Sequence, residues 1–311
     1  MGRGLFDRIG DAPGTACADH LRAFRALVLA HWATQAWAWW WAPPELEIAI
    51  GSLGFALSAV VLTACTGVAL VSCGSYGKGA AGRRVNRFSS SIGTVVAACL
   101  VAGIAPFTPN HTFLALVCLA VFALLDPETE DEGVLALAAL RWLAVIVFFW
   151  AGVQKLTYGL YFRGEFLTWM IAHGGPRWAA LFSWIVPDAE LARLSSYGRY
   201  SLEAGPYRAN SLLLVLLSNS VWLAEVGLAL GMFWQRTRVA AALAAIALTF
   251  LIQLAPREFM FALLYAQLLF LFVPGEWNRR LLIPLLALYV YLVAVLMGAP
   301  GELLLRRGGT L

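Results

Sequence analysis

The sequence predicts an all-α integral membrane protein with about nine transmembrane helices and one interfacial or re-entrant helical segment near 163–187. Composition is the first reason: 61% of the residues are hydrophobic and only 13% charged, where a soluble domain is about half apolar and a quarter charged. The second is block length. The apolar residues fall in runs of about 17 to 25, long enough for a helix to cross about 30 Å of hydrocarbon. The third is what remains: residues 1–20, the loop near 74–90, the segment 159–208 and the tail after 299 are the only water-compatible stretches, and none could bury a soluble core. A single polytopic membrane domain over 1–311, with no separate soluble domain, is therefore expected. The opening MGRGLFDRIGDAPGTACADH has acidic residues and no small-residue cleavage site after a short apolar core, so it does not read as a cleaved signal peptide.

A hydropathy window places the spans at about 21–42, 46–72, 91–107, 111–125, 134–156, 209–234, 239–255, 258–273 and 281–298. The first carries Arg22 and Arg25 early and ends in Trp37 and Trp39 to Trp41, an aromatic belt. Asn110 and His111 open the fourth, Lys155 closes the fifth, Gln253 closes the seventh, and Arg257 and Glu258 open the eighth. Segment 163–187 is rich in aromatics but broken by His173-Gly174-Gly175-Pro176 and carries Arg177, which disfavours a full crossing.

Basic residues set the orientation. With a cytoplasmic N-terminus, the loop holding Lys78, Arg83, Arg84 and Arg87 and the turns holding Arg236, Arg238, Arg279 and Arg280 all face the cytoplasm, as the positive-inside rule requires. The C-terminus is then external, in a bacterial-type cytoplasmic membrane. Arg163, Arg177, Arg193, Arg199 and Arg208 run against the rule, in a long segment where it is weaker. The formal charge of +4 is spread through loops, so it speaks for topology and against nucleic acid. Five cysteines, mostly inside apolar runs and without a CxxC or a Cys/His cluster, read as unpaired packing residues; no metal is expected.

In this layout Asn110, His111, Lys155, Gln253, Arg257 and Glu258 all reach the external end, where they would line one polar pocket. Lys155 has two readings. It is either an interfacial anchor beside Tyr158, Tyr161 and Phe162, or an ammonium desolvated by Phe148, Phe149, Trp150 and Val153 and so available as a neutral base. Asn110 and His111 are either a helix cap or an orienting and proton-transfer pair. Arg257 and Glu258 suit a helix start or an anionic substrate group. Glu225 lies within a span, where an ionised carboxylate costs at least a few kcal/mol. It shares a face with Ser218 and Trp222, and a buried ion pair with Arg25 is one way to satisfy it.

The segments NHTFLALVCLAVFALL, AGVQKL followed by Gly164, and REFMFALLYAQLLFLFVPGEW give the chain a resemblance to the horizontally transferred transmembrane domain family, which includes the vitamin K-dependent γ-glutamyl carboxylases. The resemblance implies that Lys155 is the base that deprotonates reduced vitamin K, a menaquinol-type quinol, with Asn110 and His111 in the same active site. Oxygen-dependent chemistry would then supply a strong base for glutamate γ-carboxylation in a water-excluding pocket. The interval TYGLYFRGEF after Lys155 departs from the family pattern: it lacks the usual tryptophan and is longer. Small bacterial relatives include membrane components of sporulation-delaying toxin maturation.

Two functions follow as expectations. One is an enzyme-like membrane protein that binds a quinol, with a secreted peptide or protein as further substrate. The other is a non-carboxylating module of peptide maturation, immunity or membrane scaffolding, in which Lys155 and Glu225 are structural. A small transporter, with Glu225 and Arg25 lining a path, is a third. Membrane lipid is the common partner.

Overall fold

A computed structural model describes residues 14–41, 51–73, 79–105, 110–173, 176–197, 207–253 and 258–299. All regular structure among them is helical: α1 (Gly14–Trp41), α2 (Ser52–Ser72), α3 (Ala80–Ile104), α4 (Asn110–Leu124), α5 (Glu130–Tyr158), α6 (Glu165–His173), α7 (Pro176–Phe182), α8 (Asp188–Ser195), α9 (Leu212–Gly231), α10 (Arg238–Gln253), α11 (Phe259–Phe270) and α12 (Gly275–Leu296). The helices form two compact units, one of residues 1–144 and 233–311 and the other of residues 145–232.

In the first unit α1 is the central element. Every residue from His20 to Ala36 is buried, and the helix packs on α2, α3, α4, α11 and α12. A helix covered on all sides has no polar face to spare, yet α1 buries His20, Arg22, Arg25, His31, Thr34 and Gln35. Both arginines find partners. Arg22 donates to both oxygens of Glu128 and to Asp19, and Arg25 donates to Ser72 Oγ at 2.8 Å. The tryptophans at its end divide. Trp39 is buried against Phe55, with ring centroids 6.1 Å apart, while Trp40 and Trp41 are exposed, as a belt requires.

Several element ends differ from the sequence reading. Arg83, Arg84 and Arg87 lie in the opening turns of α3, not in a loop, because alanine and arginine are good helix formers and a hydropathy window discards charged turns. The acidic stretch is likewise half helical. Glu130, Asp131 and Glu132 fill the first turn of α5, where the helix dipole favours them.

Among the described residues four helices, α2, α3, α5 and α9, are long and apolar enough to cross a membrane. Helices α4, α10 and α11 have 15, 16 and 12 residues, about 18 to 24 Å of helix against about 30 Å of hydrocarbon. The expected count of nine therefore exceeds what length and composition alone support. Segment 163–187 does not form one long helix: α6 and α7 have nine and seven residues, each too short to cross.

The long helices are inverted relative to a soluble fold. On α9, Leu212, Leu213, Leu216 and Leu223 are 55–70% exposed, while Ser218 and Glu225 are buried. Apolar surface turned outward and polar groups turned inward is the pattern that lipid demands.

Candidate functional site in the second unit

Lys155 occupies the last turn of α5, and Glu225 sits in the apolar run of α9. Lys155 Nζ donates to Glu225 Oε1 at 2.7 Å and to Oε2 at 2.8 Å. The Lys155 side chain is 19% exposed and that of Glu225 5%. The sequence offers Arg25 as one partner for Glu225. Instead Arg25 spends its hydrogen bond on Ser72 and the carboxylate takes the lysine. The lysine is also no outward-reaching anchor, since its ammonium turns inward to the acid.

Close backbone approach makes the pair reachable. Gly152 lies against Trp222 and Glu225 so tightly that an added Cβ would stand 2.7 Å from Val226 Cγ2, 3.0 Å from Trp222 O and 3.1 Å from Glu225 Cβ. Any side chain there would hold the two helices apart.

The turn after α5 closes over the pair. Gly159 and Gly164 adopt positive φ of 70° and 69°, which folds residues 159–164 back and brings the Tyr161 ring to 5.6 Å from Lys155 Nζ, within cation–π range. Tyr161 stacks on Phe166 with centroids 5.1 Å apart, and Phe162 meets Trp222 edge-on at 5.9 Å. Burial first, and the Glu225 charge second, push the Tyr161 phenol above its usual range. Asn219 fixes this turn to α9. Its Nδ2 reaches the carbonyls of Val215, Tyr161 and Phe162 at 2.9, 3.3 and 3.3 Å, and its Oδ1 accepts from Trp222 Nε1 at 3.1 Å.

Below the turn, α6 and α8 are tied down by a second polar set. Glu190 accepts from Arg193 Nε and Nη2 at 2.8 and 2.6 Å and from Asn210 N and Nδ2 at 2.9 and 3.0 Å. The Arg193 hydrogen bonds hold the Glu190 carboxyl below its usual range, and Glu190 in turn raises Arg193. The Thr168 hydroxyl bonds the Tyr207 carbonyl.

The remaining candidate residues belong to the first unit. Asn110 is exposed at the start of α4. His111, next to it, places its ring 5.6 Å from Phe261, which brings the opening of α4 to the opening of α11. Gln253 ends α10 with a buried Oε1 that has no hydrogen-bond partner among the described residues. Glu258 immediately precedes α11 and makes no side-chain cap. Arg257 lies outside the described residues. Of the residues expected to share one pocket, Lys155 belongs to the second unit and Asn110, His111, Gln253 and Glu258 belong to the first.

The described cysteines, Cys65, Cys73, Cys99 and Cys118, are unpaired thiols. Among the described residues, no three metal-ligating side chains come together.

The chain matches no family model, no curated protein and no solved structure. Its site has to be argued from its own residues. Sequence reasoning found Lys155, Glu225, Trp222 and Ser218, but missed Asn219 and gave Tyr161 only an interfacial place. Asn219 had a visible signal, an amide inside the apolar run LLLVLLSNSVWLAEV one turn before Trp222.

Proposed function

We propose that the chain is embedded in a bacterial-type cytoplasmic membrane by about nine helices, N-terminus cytoplasmic and C-terminus external. On this reading the second unit presents an acid–base site for a lipid-soluble quinol of the reduced vitamin K type. The observation that carries it is the Lys155–Glu225 pair, bidentate, partly open on the lysine side and roofed by Tyr161. A titratable pair with one member in reach of a ligand is the arrangement general acid–base chemistry uses.

The pair handles protons as a unit. When Glu225 keeps the shared proton, the Lys155 lone pair is available to a phenolic hydroxyl; accepting that proton leaves an ammonium, a neutral carboxyl and a quinolate. The residues present suit such a group, with Tyr161, Phe166, Phe162 and Trp222 supplying aromatic contacts beside one polar end. When bound, a quinol would contribute the oxygen-dependent chemistry that makes a strong base. Carboxylation of a secreted peptide or protein rests on the family resemblance, which carries over Lys155, Asn110 and His111 only.

A competing reading makes the pair a strut in a module of peptide-toxin maturation or immunity. The Gly152 contact favours it, because that contact joins α5 to α9 at the same level as the pair. Purified protein in lipid nanodiscs, given reduced vitamin K and oxygen, separates the two. Epoxide formation that Lys155→Ala and Glu225→Gln abolish, in variants that stay folded, is the expected result. No epoxide and no quinol binding by the unaltered protein would sink the quinol reading.

A further inference from the structure

The opening turns of α3, in the first unit, carry positive charge that the fold does not consume. Arg83 lies 3.8 Å from Asp126. Arg84 has no acidic partner among the described residues, and the Arg87 side chain reaches a backbone carbonyl instead, from Nη2 to Leu124 O at 3.2 Å. Both Arg84 and Arg87 are exposed. The helix dipole offers these cations nothing, since it favours acids at a helix start.

Further along, the same face is apolar. Arg84, Phe88 and Val95 recur at helical spacing on one side of α3, and Phe88 and Val95 are 67% and 62% exposed. Asn86, Ser89, Ser90, Gly93 and Ala97 are buried on the opposite side. Helix α4 runs antiparallel beside it: Arg87 meets Leu124, and further down Gly93 faces Leu119. Leu124, Val117 and Phe113 of α4, again at helical spacing, are exposed as well. From Arg84 to Val95 is about 16 Å of helix, about the depth of one leaflet of a hydrocarbon core of about 30 Å.

Hydrocarbon suits Phe88 and Val95 but leaves two guanidinium groups without a counter-ion, and water does the reverse. A molecule with an anionic head and an alkyl tail answers both. Guanidinium groups hold phosphate oxygens through paired N–H donors, and basic residues at the membrane boundary of a helix attract anionic lipids. An acidic peptide or a nucleic acid would satisfy the arginines and leave the apolar stripe uncovered. We propose that this face of α3 binds an anionic phospholipid, with the headgroup phosphate on Arg84 and Arg87 and an acyl chain along Phe88 and Val95. The inference rests on the membrane embedding proposed above and is independent of the Lys155 site and of the quinol reading.

The test uses the full chain in phosphatidylcholine nanodiscs containing a trace of phosphatidylglycerol with a photoactivatable diazirine in mid-acyl chain. Irradiation should place adducts on the stretch from Phe88 to Val95, and the same probe with a choline headgroup should give at least about fivefold fewer there. Arg84→Gln and Arg87→Gln should each lower the phosphatidylglycerol adducts on that stretch by about fivefold, the attraction of one basic residue to an anionic lipid surface. Adducts of the choline probe on Leu216 and Leu223 of α9, both exposed, report insertion and should not change in either variant. Adducts on α9 with no headgroup preference on α3, or with a preference that survives both substitutions, overturn the inference alone. Absence of adducts from both helices overturns the embedding and the inference with it. Should Arg87→Gln fail to fold, Arg84→Gln removes no bond within the described residues and decides the matter by itself.

Discussion

Removing the lysine from the Lys155–Glu225 pair leaves a carboxylate that is 5% exposed, facing Trp222 and the backbone at Gly152. Breaking a buried pair by deleting one partner costs about 3 to 5 kcal/mol. Protonation sets a ceiling. Relative to a carboxyl with an ordinary pKa of about 4.3, neutralising it costs about 3.7 kcal/mol at pH 7 and about 1 kcal/mol at pH 5. Lys155→Met should therefore destabilise the protein by about 3 kcal/mol at pH 7, and by far less at pH 5. The sign follows from proton counting. The native variant binds one more proton than its unfolded chain in this range, so its stability rises as pH falls. The double variant Lys155→Met, Glu225→Met has no buried charge and should stand within about 1 kcal/mol of the unaltered protein. Thermal unfolding of the four proteins in nanodiscs at both pH values gives the coupling energy. Additive effects, with the double variant as damaged as the sum of the singles, would refute the pairing. Wild-type stability in the double variant with loss of epoxide formation would separate the chemical role from the strut.

Gly152→Val should cost about 1 to 3 kcal/mol by forcing α9 away from α5, read as a lower Tm and as weaker coupling in the Lys155–Glu225 cycle. Gly164→Ala meets two obstacles, a φ of 69° and a Cβ placed 2.9 Å from that of Ala209; a loss of about 1 to 3 kcal/mol is expected, with faster proteolysis of segment 159–211. Glu190 sits below its ordinary range because of Arg193. Its contribution is thus complete above about pH 4.3 and lost as pH falls through the lower folded value. Limited proteolysis should show α8 loosening only in acid, and Glu190→Gln should make the cleavage rate independent of pH there. Asn219→Leu releases the carbonyls of Tyr161 and Phe162 and should cost about 1 to 3 kcal/mol, with tyrosine fluorescence reporting greater exposure of the turn.

The helical class and the positions of most helices were legible because period and length carry them, and hydrocarbon tolerates only helices and closed barrels, the latter needing strands about half as long. Ends were less legible. Hydropathy cannot see the charged turns that open α3 and α5, since arginine and glutamate are excluded from a window yet fit a helix start. The inward face of α9 was readable too, from Ser218, Trp222 and Glu225 at helical spacing. The choice of partner for Glu225 was not. Arg25 and Lys155 both carry a positive charge, and only the packing of Gly152 on α9 and of Ser72 beside Arg25 decided between them.

By itself, then, the sequence determined that this protein is helical, outwardly apolar, and burdened with a few polar groups that must be satisfied inside. Those properties depend on composition and on a repeat of 3.6 residues, both local. Tertiary structure alone decided which groups satisfy which. It gave Lys155 to Glu225 across 70 positions of chain, roofed the pair with Tyr161 through two left-handed glycines, and gathered His31, Gln267 and Tyr289 from opposite ends of the sequence. Such contacts depend on distances between helices set by single atoms, such as the missing Cβ of Gly152, and no periodicity encodes them.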